Sequence, residues 1–231
     1  MKQVVIIFGP PGAGKGVQSE LLAEKLSYYH LESSKVLENC FKKESPDKTF
    51  EIDGQIFKVA DQQKLWETGI LVDPPFIVEL MKERIAEIHN QDEESLILSG
   101  SPRTLYEAER IIPVLEGFYG KENIKVIFLE ISAETTLWRN SKRKICELMR
   151  HSILFNNETE NLTICPLDGS ILKKREKLDD PETIKVRLKE YAERTFPMLE
   201  YLENQGVKVH KLNGEKTIAE VHAEVMKVVV S

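Results

Sequence analysis

At 231 residues, with 41% hydrophobic and 30% charged side chains and a net charge of −6, the chain has the size and balance of one compact domain with small excursions. The acidic balance argues against nucleic acid or an anionic membrane as a partner, because either polyanion would be repelled. Cys40, Cys146 and Cys165 are too few for a disulfide framework and suit a reducing, cytoplasmic compartment, and no stretch reaches the roughly 20 apolar residues of a membrane span.

The first element is a β-branched run, Val4-Val5-Ile6-Ile7-Phe8, opening into Gly9-Pro10-Pro11-Gly12-Ala13-Gly14-Lys15-Gly16. The spacing Gly9-x4-Gly14-Lys15 is that of a phosphate-binding loop. Its glycines let backbone N–H groups close on phosphate oxygens, Lys15 adds a mobile positive charge, and the following helix adds its dipole. Gly16 stands where most such loops carry the Ser or Thr that binds Mg²⁺. The loop predicts binding of nucleotide phosphates, those of ATP first.

Short apolar runs predict strands at 3–8, 95–99, 124–131 and 207–212. Helices are predicted at 15–28, 58–68, 75–89, 104–116, 133–144, 181–204 and 216–228, with Asp180 as an N-cap before Pro181 and a kink at Pro197. Alternation of this kind predicts an α/β fold, a parallel sheet covered on both faces. Two stretches break it. Residues 33–72 are polar and read as largely helical, with a turn-like Asp53-Gly54. Residues 145–178 carry two cysteines, a turn-like Asp168-Gly169 and few helical repeats.

Five motifs in order resemble the adenylate kinase family of nucleoside monophosphate (NMP) kinases. They are the loop ending in Lys15-Gly16, Gly69-Ile70-Leu71-Val72, Gly100-Ser101-Pro102-Arg103-Thr104, the pair Arg139 and Arg143, and Asp179-Asp180-Pro181-Glu182 followed by Arg187 and Tyr191. The resemblance implies a P-loop NTPase core of three layers, α/β/α, made of 1–32, 73–144 and 179–231, with a small helical NMP-binding arm at 33–72 and a lid at 145–178. It implies reversible transfer of the γ-phosphoryl group of Mg·ATP to a nucleoside monophosphate, AMP in relatives, by a cytoplasmic monomer. Lys15, Arg103, Arg143 and Arg187 would be catalytic. Gly12, Ala13, Gly14, Gly16, Val17, Arg139 and Gly214 would join Lys15 and Arg143 around ATP. Ser33, Glu38, Leu71, Val72, Gly100, Glu107 and Lys177 would join Arg103 and Arg187 around the acceptor, with Arg175 an alternative to Lys177 as the lid's cation.

The chain also departs from that family. Val17 replaces a hydroxyl residue, and Ser99 replaces an aspartate that helps hold hydrated Mg²⁺, leaving the ion to the ATP phosphates. Glu38 stands where an arginine would grip the acceptor phosphate, with Lys35 or Lys42 as candidate compensation. The arm is longer than usual, the extra residues falling within 41–56. Glu107 replaces a glutamine that reads adenine; an ionised carboxylate offers acceptors only, which suits guanine's edge and predicts a relaxed or shifted base preference. In the lid, Cys146-x2-Met149 and Cys165-x2-Asp168 give three zinc-type ligands, with His151 as a conceivable fourth. The expectation is a knuckle without zinc, held by apolar packing of Ile153, Leu154, Phe155 and Leu167. Val17, Ser99 and Glu38 together support a second reading, a catalytically weakened nucleotide-binding module, whereas the retained arginines support the kinase.

Overall fold

The computed structural model describes residues 2–92, 95–150, 152–153, 155, 159–174 and 179–231. In chain order, β1 (Val4–Phe8), the glycine loop, α1 (Lys15–Leu26) and β2 (Tyr29–Glu32) lead into α2 (Ser33–Lys43), β3 (Thr49–Ile52), β4 (Gln55–Lys58) and α3 (Val59–Glu67). There follow α4 (Pro74–Asp92), β5 (Leu96–Ser99), α5 (Leu105–Tyr119), β6 (Ile124–Glu130) and α6 (Ala133–Lys142). Three short strands, β7 (Lys144–Cys146), β8 (Ser152–Ile153) and β9 (Leu172–Lys173), precede α7 (Pro181–Glu190), α8 (Phe196–Asn204), β10 (Val209–Asn213) and α9 (Ile218–Val230).

The main sheet has the order β10-β6-β1-β5-β2, and every pairing is parallel. Side chains alternate between the faces of a strand, so the apolar run of β1 feeds two cores. Val4, Ile6 and Phe8 join a cluster with Phe76, Met81 and Ile85 of α4, Ile111 and Leu115 of α5, and Met198 and Leu202 of α8. Val5 and Ile7 join Leu22 of α1 and Val221, Val225 and Val229 of α9. The result is a three-layer α/β/α fold with the glycine loop at the carboxyl end of the central strand, where ligands of such sheets bind.

Three local readings need correction. β2 is absent from the predicted strands because it is an edge strand in which only Leu31 is fully buried. Residues 33–72 are not simply helical: β3 and β4 form an antiparallel hairpin, Thr49 pairing with Lys58 and Ile52 with Gln55. Asp53 (φ 53°) and Gly54 (φ 75°) close it as a two-residue turn with both φ positive, for which Asp-Gly is the favoured pair. The hairpin begins inside 41–56, where the extra length falls. Finally, 181–204 is not one α-helix with a kink. A π-turn, Tyr191–Thr195, separates α7 from α8, and the N–H of Phe196 bonds Tyr191 O, five residues back. Pro197, at the start of α8, has no N–H to continue the α ladder, which places the irregular turn just before it.

Candidate active site

β1 ends where the chain must turn sharply into α1, and Gly14 caps that helix in the left-handed region (φ 91°) without a side-chain cap. The helix's first N–H groups are thereby left facing the cleft. Gly12 (φ 85°) is needed for close approach as well, since a β-carbon there would lie 2.6 Å from Asn140 Nδ2. Arg139 Nη1 donates to Gly12 O at 3.2 Å, tying α6 to the loop. Lys15 Nζ donates to Gly9 O (2.7 Å) and Pro10 O (2.9 Å), holding its charge under the loop. On the far side Gly214, whose N–H bonds Glu130 O at 2.8 Å, packs against Ala13 O.

The cleft in front of this loop has a volume of about 400 Å³, within the range of small-molecule sites. Burial, then Arg103, Arg187 and Arg143 in that order, push the Lys15 ammonium well below its ordinary pKa. Three arginines thus bring their positive fields to bear on Lys15, an arrangement that a bound polyanion would relieve. Each has its own anchor. Arg143, at the C-cap of α6, is held in a two-pronged pair with buried Asp179, through Nε to Oδ2 (3.1 Å) and Nη2 to Oδ1. Arg187 passes under Gly69, where a β-carbon would meet its Cγ at 3.0 Å. Arg103 is half-buried, and its Nη2 lies against Gly100.

The Arg103 loop is braced by Glu107. Its Oε2 accepts from Ser101 Oγ (2.8 Å) and Arg103 N (3.0 Å), its Oε1 accepts from Thr104 Oγ1 (3.1 Å), and Thr104 in turn caps the N–H of Glu107 (3.2 Å). Burial pushes the Glu107 carboxyl up, while these donors pull it back. Glu107 is thus first a structural brace, with three of its roughly four acceptor positions engaged. Ser33 Oγ donates to Gly100 O at 2.7 Å, tying α2 to the same loop, and Leu71 N donates to Glu190 Oε2 at 3.2 Å. Val72 is buried beneath.

Ser99 reaches the cleft, but its hydroxyl bonds His30 Nε2 at 2.7 Å. Burial pushes the His30 imidazole down to about 4, so it is neutral at pH 7. Glu38 also reaches the cleft, and neither candidate lysine compensates it: Lys35 pairs with Glu32 (3.6 Å) and Lys42 is exposed outside the cleft. Instead Arg150, from the β7–β8 connection, donates from Nη1 to Glu38 Oε2 (3.0 Å) and from Nη2 to Oε1 (3.3 Å).

Between α6 and α7, β7 pairs with β8 and β9, and Cys146, Ile153 and Cys165 form a small buried cluster with Leu172 against it. The expected apolar packing is only partly found. Ile153 belongs to the cluster, Leu167 is 73% exposed, and Phe155 instead meets Trp138 edge-on at 5.7 Å. The centre is polar. Asp168 Oδ2 accepts from Cys146 Sγ (3.0 Å) and Met149 N (3.3 Å), and Oδ1 accepts from Ser170 N (2.9 Å) and Oγ (2.8 Å). The ligand-type atoms of Cys146, Cys165 and Asp168 lie within 4.8 Å of one another, three where a closed zinc site takes four, and Met149 is 65% exposed. His151, Leu154, Arg175 and Lys177 lie outside the described residues.

Apart from Lys42, every other residue singled out from the sequence for phosphate, base or Mg²⁺ contact borders this one cleft. Sequence reasoning missed Arg150, His30, the role of Asp179, and Glu215, whose Oε1 accepts from Ser132 N (2.9 Å), Ser132 Oγ (2.8 Å) and Thr135 Oγ1 (2.8 Å) at the start of α6. Nothing local marks these residues; each acts on a partner distant in sequence.

A glycine loop between a central parallel strand and a helix, facing cations from three later segments that line one cleft, defines a P-loop phosphotransferase. The adenylate kinase family model matches residues 7–207. Over 96% of this chain and 97% of theirs, the chain is 31% identical to an adenylate kinase of Caldicellulosiruptor saccharolyticus. It is 31% identical to one of Staphylococcus epidermidis (97% of each chain) and 27% identical to one of Borrelia recurrentis (97% and 95%). The chain belongs to the adenylate kinase family, and with it to the nucleoside monophosphate kinases, which bind ATP and a nucleoside monophosphate and use Mg²⁺ with ATP. No helix among the described residues is long and apolar enough to cross a membrane.

Proposed function

We propose that the chain transfers the γ-phosphoryl group of Mg·ATP reversibly to AMP, with 33–72 acting as the acceptor arm and 145–178 as the lid. The observation that carries this reading is that Lys15, Arg103, Arg143 and Arg187 line one cleft, with the positive fields of the three arginines bearing on Lys15. Phosphoryl transfer asks little covalent chemistry of a protein; it asks for two nucleotides in line and a preorganised positive field around the moving group. In this reading the loop amides of Gly12, Ala13, Gly14, Gly16 and Val17 hold donor phosphates, Lys15 bridges to the γ-phosphoryl group, and Arg139 and Gly214 flank the donor base. Arg103 holds the acceptor phosphate, Arg143 and Arg187 cover the transferring group, and Ser33, Leu71, Val72 and Gly100 line the acceptor side. Lys177 adds a lid cation by resemblance. When bound with ATP, Mg²⁺ would supply charge neutralisation at the donor phosphates, and neutral Ser99 would contribute at most a hydrogen bond to a water bound there.

The bracing of Glu107 favours adenine over guanine. With one acceptor position left on Oε1, its carboxylate satisfies a single base N–H, such as the adenine amino group; guanine would bring two donors to it. Coupled phosphotransfer against AMP, GMP, CMP and UMP tests this, with AMP expected to turn over fastest; faster turnover of GMP would overturn it. Lys15→Met should lower kcat by about 10²–10³. ATP binding without turnover of any acceptor would support the weakened-module reading instead.

A further inference from the structure

We propose that Arg150 sets the affinity of the cleft for its acceptor by neutralising Glu38, so that acceptor binding is coupled to the seating of the segment that carries Arg150. The inference rests on the assignment of the α2 side of the cleft to the acceptor. Glu38 lies on α2, its side chain only 15% exposed, and it borders the same cleft as Ser33, Gly100 and Arg103. A carboxylate there repels an incoming phosphate dianion, and burial weakens the solvent screening that would soften this.

Arg150 removes that charge from a place 112 positions further along the chain. Its two terminal nitrogens face the two carboxylate oxygens fork to fork, the geometry in which guanidinium and carboxylate bind best. Among the described residues no other cation is in ion-pair range of Glu38. The backbone of Arg150 is left-handed (φ 59°), a region that disfavours a side chain with a β-carbon, so this orientation is held against a local preference.

The pair exists only while the β7–β8 connection rests against α2. With it in place, the acceptor side presents Arg103 beside a neutral pair; with it withdrawn, Glu38 faces the cleft alone. Ile145, Ser152, Ile153 and Phe155 of the same segment border the cleft too, so a donor that touches them favours the seated state. Linkage then requires donor and acceptor to strengthen each other by the same factor.

Calorimetric binding of AMP to the full chain, with and without a non-hydrolysable ATP analogue, tests this in wild type, Glu38→Gln, Arg150→Ala and the double variant. Glu38→Gln should bind AMP about tenfold more tightly without the analogue, and should lose most of the gain that the analogue produces in wild type. Arg150→Ala should weaken AMP binding about tenfold, and the double variant should return to the level of Glu38→Gln. Effects that simply add, or an Arg150→Ala loss that persists in the double variant, would overturn the proposal. Glu38→Gln is isosteric and decides the matter alone should Arg150→Ala disturb the lid. Arg103→Ala is the control on the underlying assignment: unchanged AMP binding there removes the acceptor reading itself. Lost binding there with an inert Glu38→Gln removes only the coupling.

Discussion

Residues 33–72 and the segment 144–173 both contribute walls to the cleft in front of the phosphate loop, yet they are joined to the molecule by different physics. Leu37, Cys40, Phe57 and Val72 of the arm belong to the same apolar cluster as β1, α4 and α5, and Phe50 of the hairpin meets Phe76 of α4 edge-on at 5.3 Å. The segment 144–173 has a core of its own, Cys146, Ile153 and Cys165, stitched by the hydrogen bonds of Asp168. Its described contacts with neighbours are few in kind: an aromatic edge at Trp138, Lys142 over Phe155 at 5.0 Å, and the Arg150–Glu38 pair. Burying an apolar side chain is worth about 1.5–3 kcal/mol, whereas a partly exposed ion pair is worth about 1 kcal/mol or less. Residues 33–72 should therefore unfold with the domain, and 144–173 should be able to leave it at little cost.

The hardest test of this contrast is Phe57→Ala. Truncating a buried side chain in the shared cluster should lower global stability by about 3–5 kcal/mol, read as a shift of the urea midpoint without a change in slope. An effect confined to the arm, with the sheet's amides untouched, would dissolve the claim that arm and core are one cooperative unit.

Acidification comes next, through the strand that feeds the arm. Folded His30 resists protonation down to about 4, whereas the unfolded chain takes up that proton from about 6.5. Between those values the unfolded state binds more protons, so stability falls as pH drops from 6.5 toward 4, by about 1–3 kcal/mol. His30→Asn should flatten that slope in urea titrations run across the window.

A smaller global effect is expected from Asp168→Ala. It removes the acceptor of donors from Cys146, Met149 and Ser170, yet the urea midpoint should move by less than about 1 kcal/mol, since no cluster shared with the sheet is touched. Hydrogen exchange at Cys165 N–H, bonded to Ser170 O at 2.7 Å, should accelerate while that of β1 stays slow. Smallest of all, Lys173→Ala deletes an exposed pair with Glu147 and should leave stability within about 0.5 kcal/mol of wild type.

The same contrast governs how much could be read from the chain. β1, β5 and β6 are continuous apolar runs because both faces of a central parallel strand are buried, and the phosphate loop is a local solution to a local problem. The hairpin was legible in part: Asp53-Gly54 marks its turn, and Phe50, opposite Phe57, and Ile52 follow an alternation that the polar flanks obscured. β2 gave no such signal, because an edge strand with a histidine turned toward Ser99 does not read as a buried run.

By itself, then, the amino-acid order determined four of the sheet's five strands, the loop and the cationic residues of the motifs, since these follow from side-chain periodicity and from dihedrals that only glycine adopts readily. What those cations face was decided by tertiary structure. Arg143 finds Asp179, Ser99 finds His30, and Glu38 finds Arg150 rather than a lysine of its own helix. The physical reason is that a Coulomb or hydrogen-bond partner is chosen by distance in space, and chain order carries no measure of that distance beyond the next helical turn.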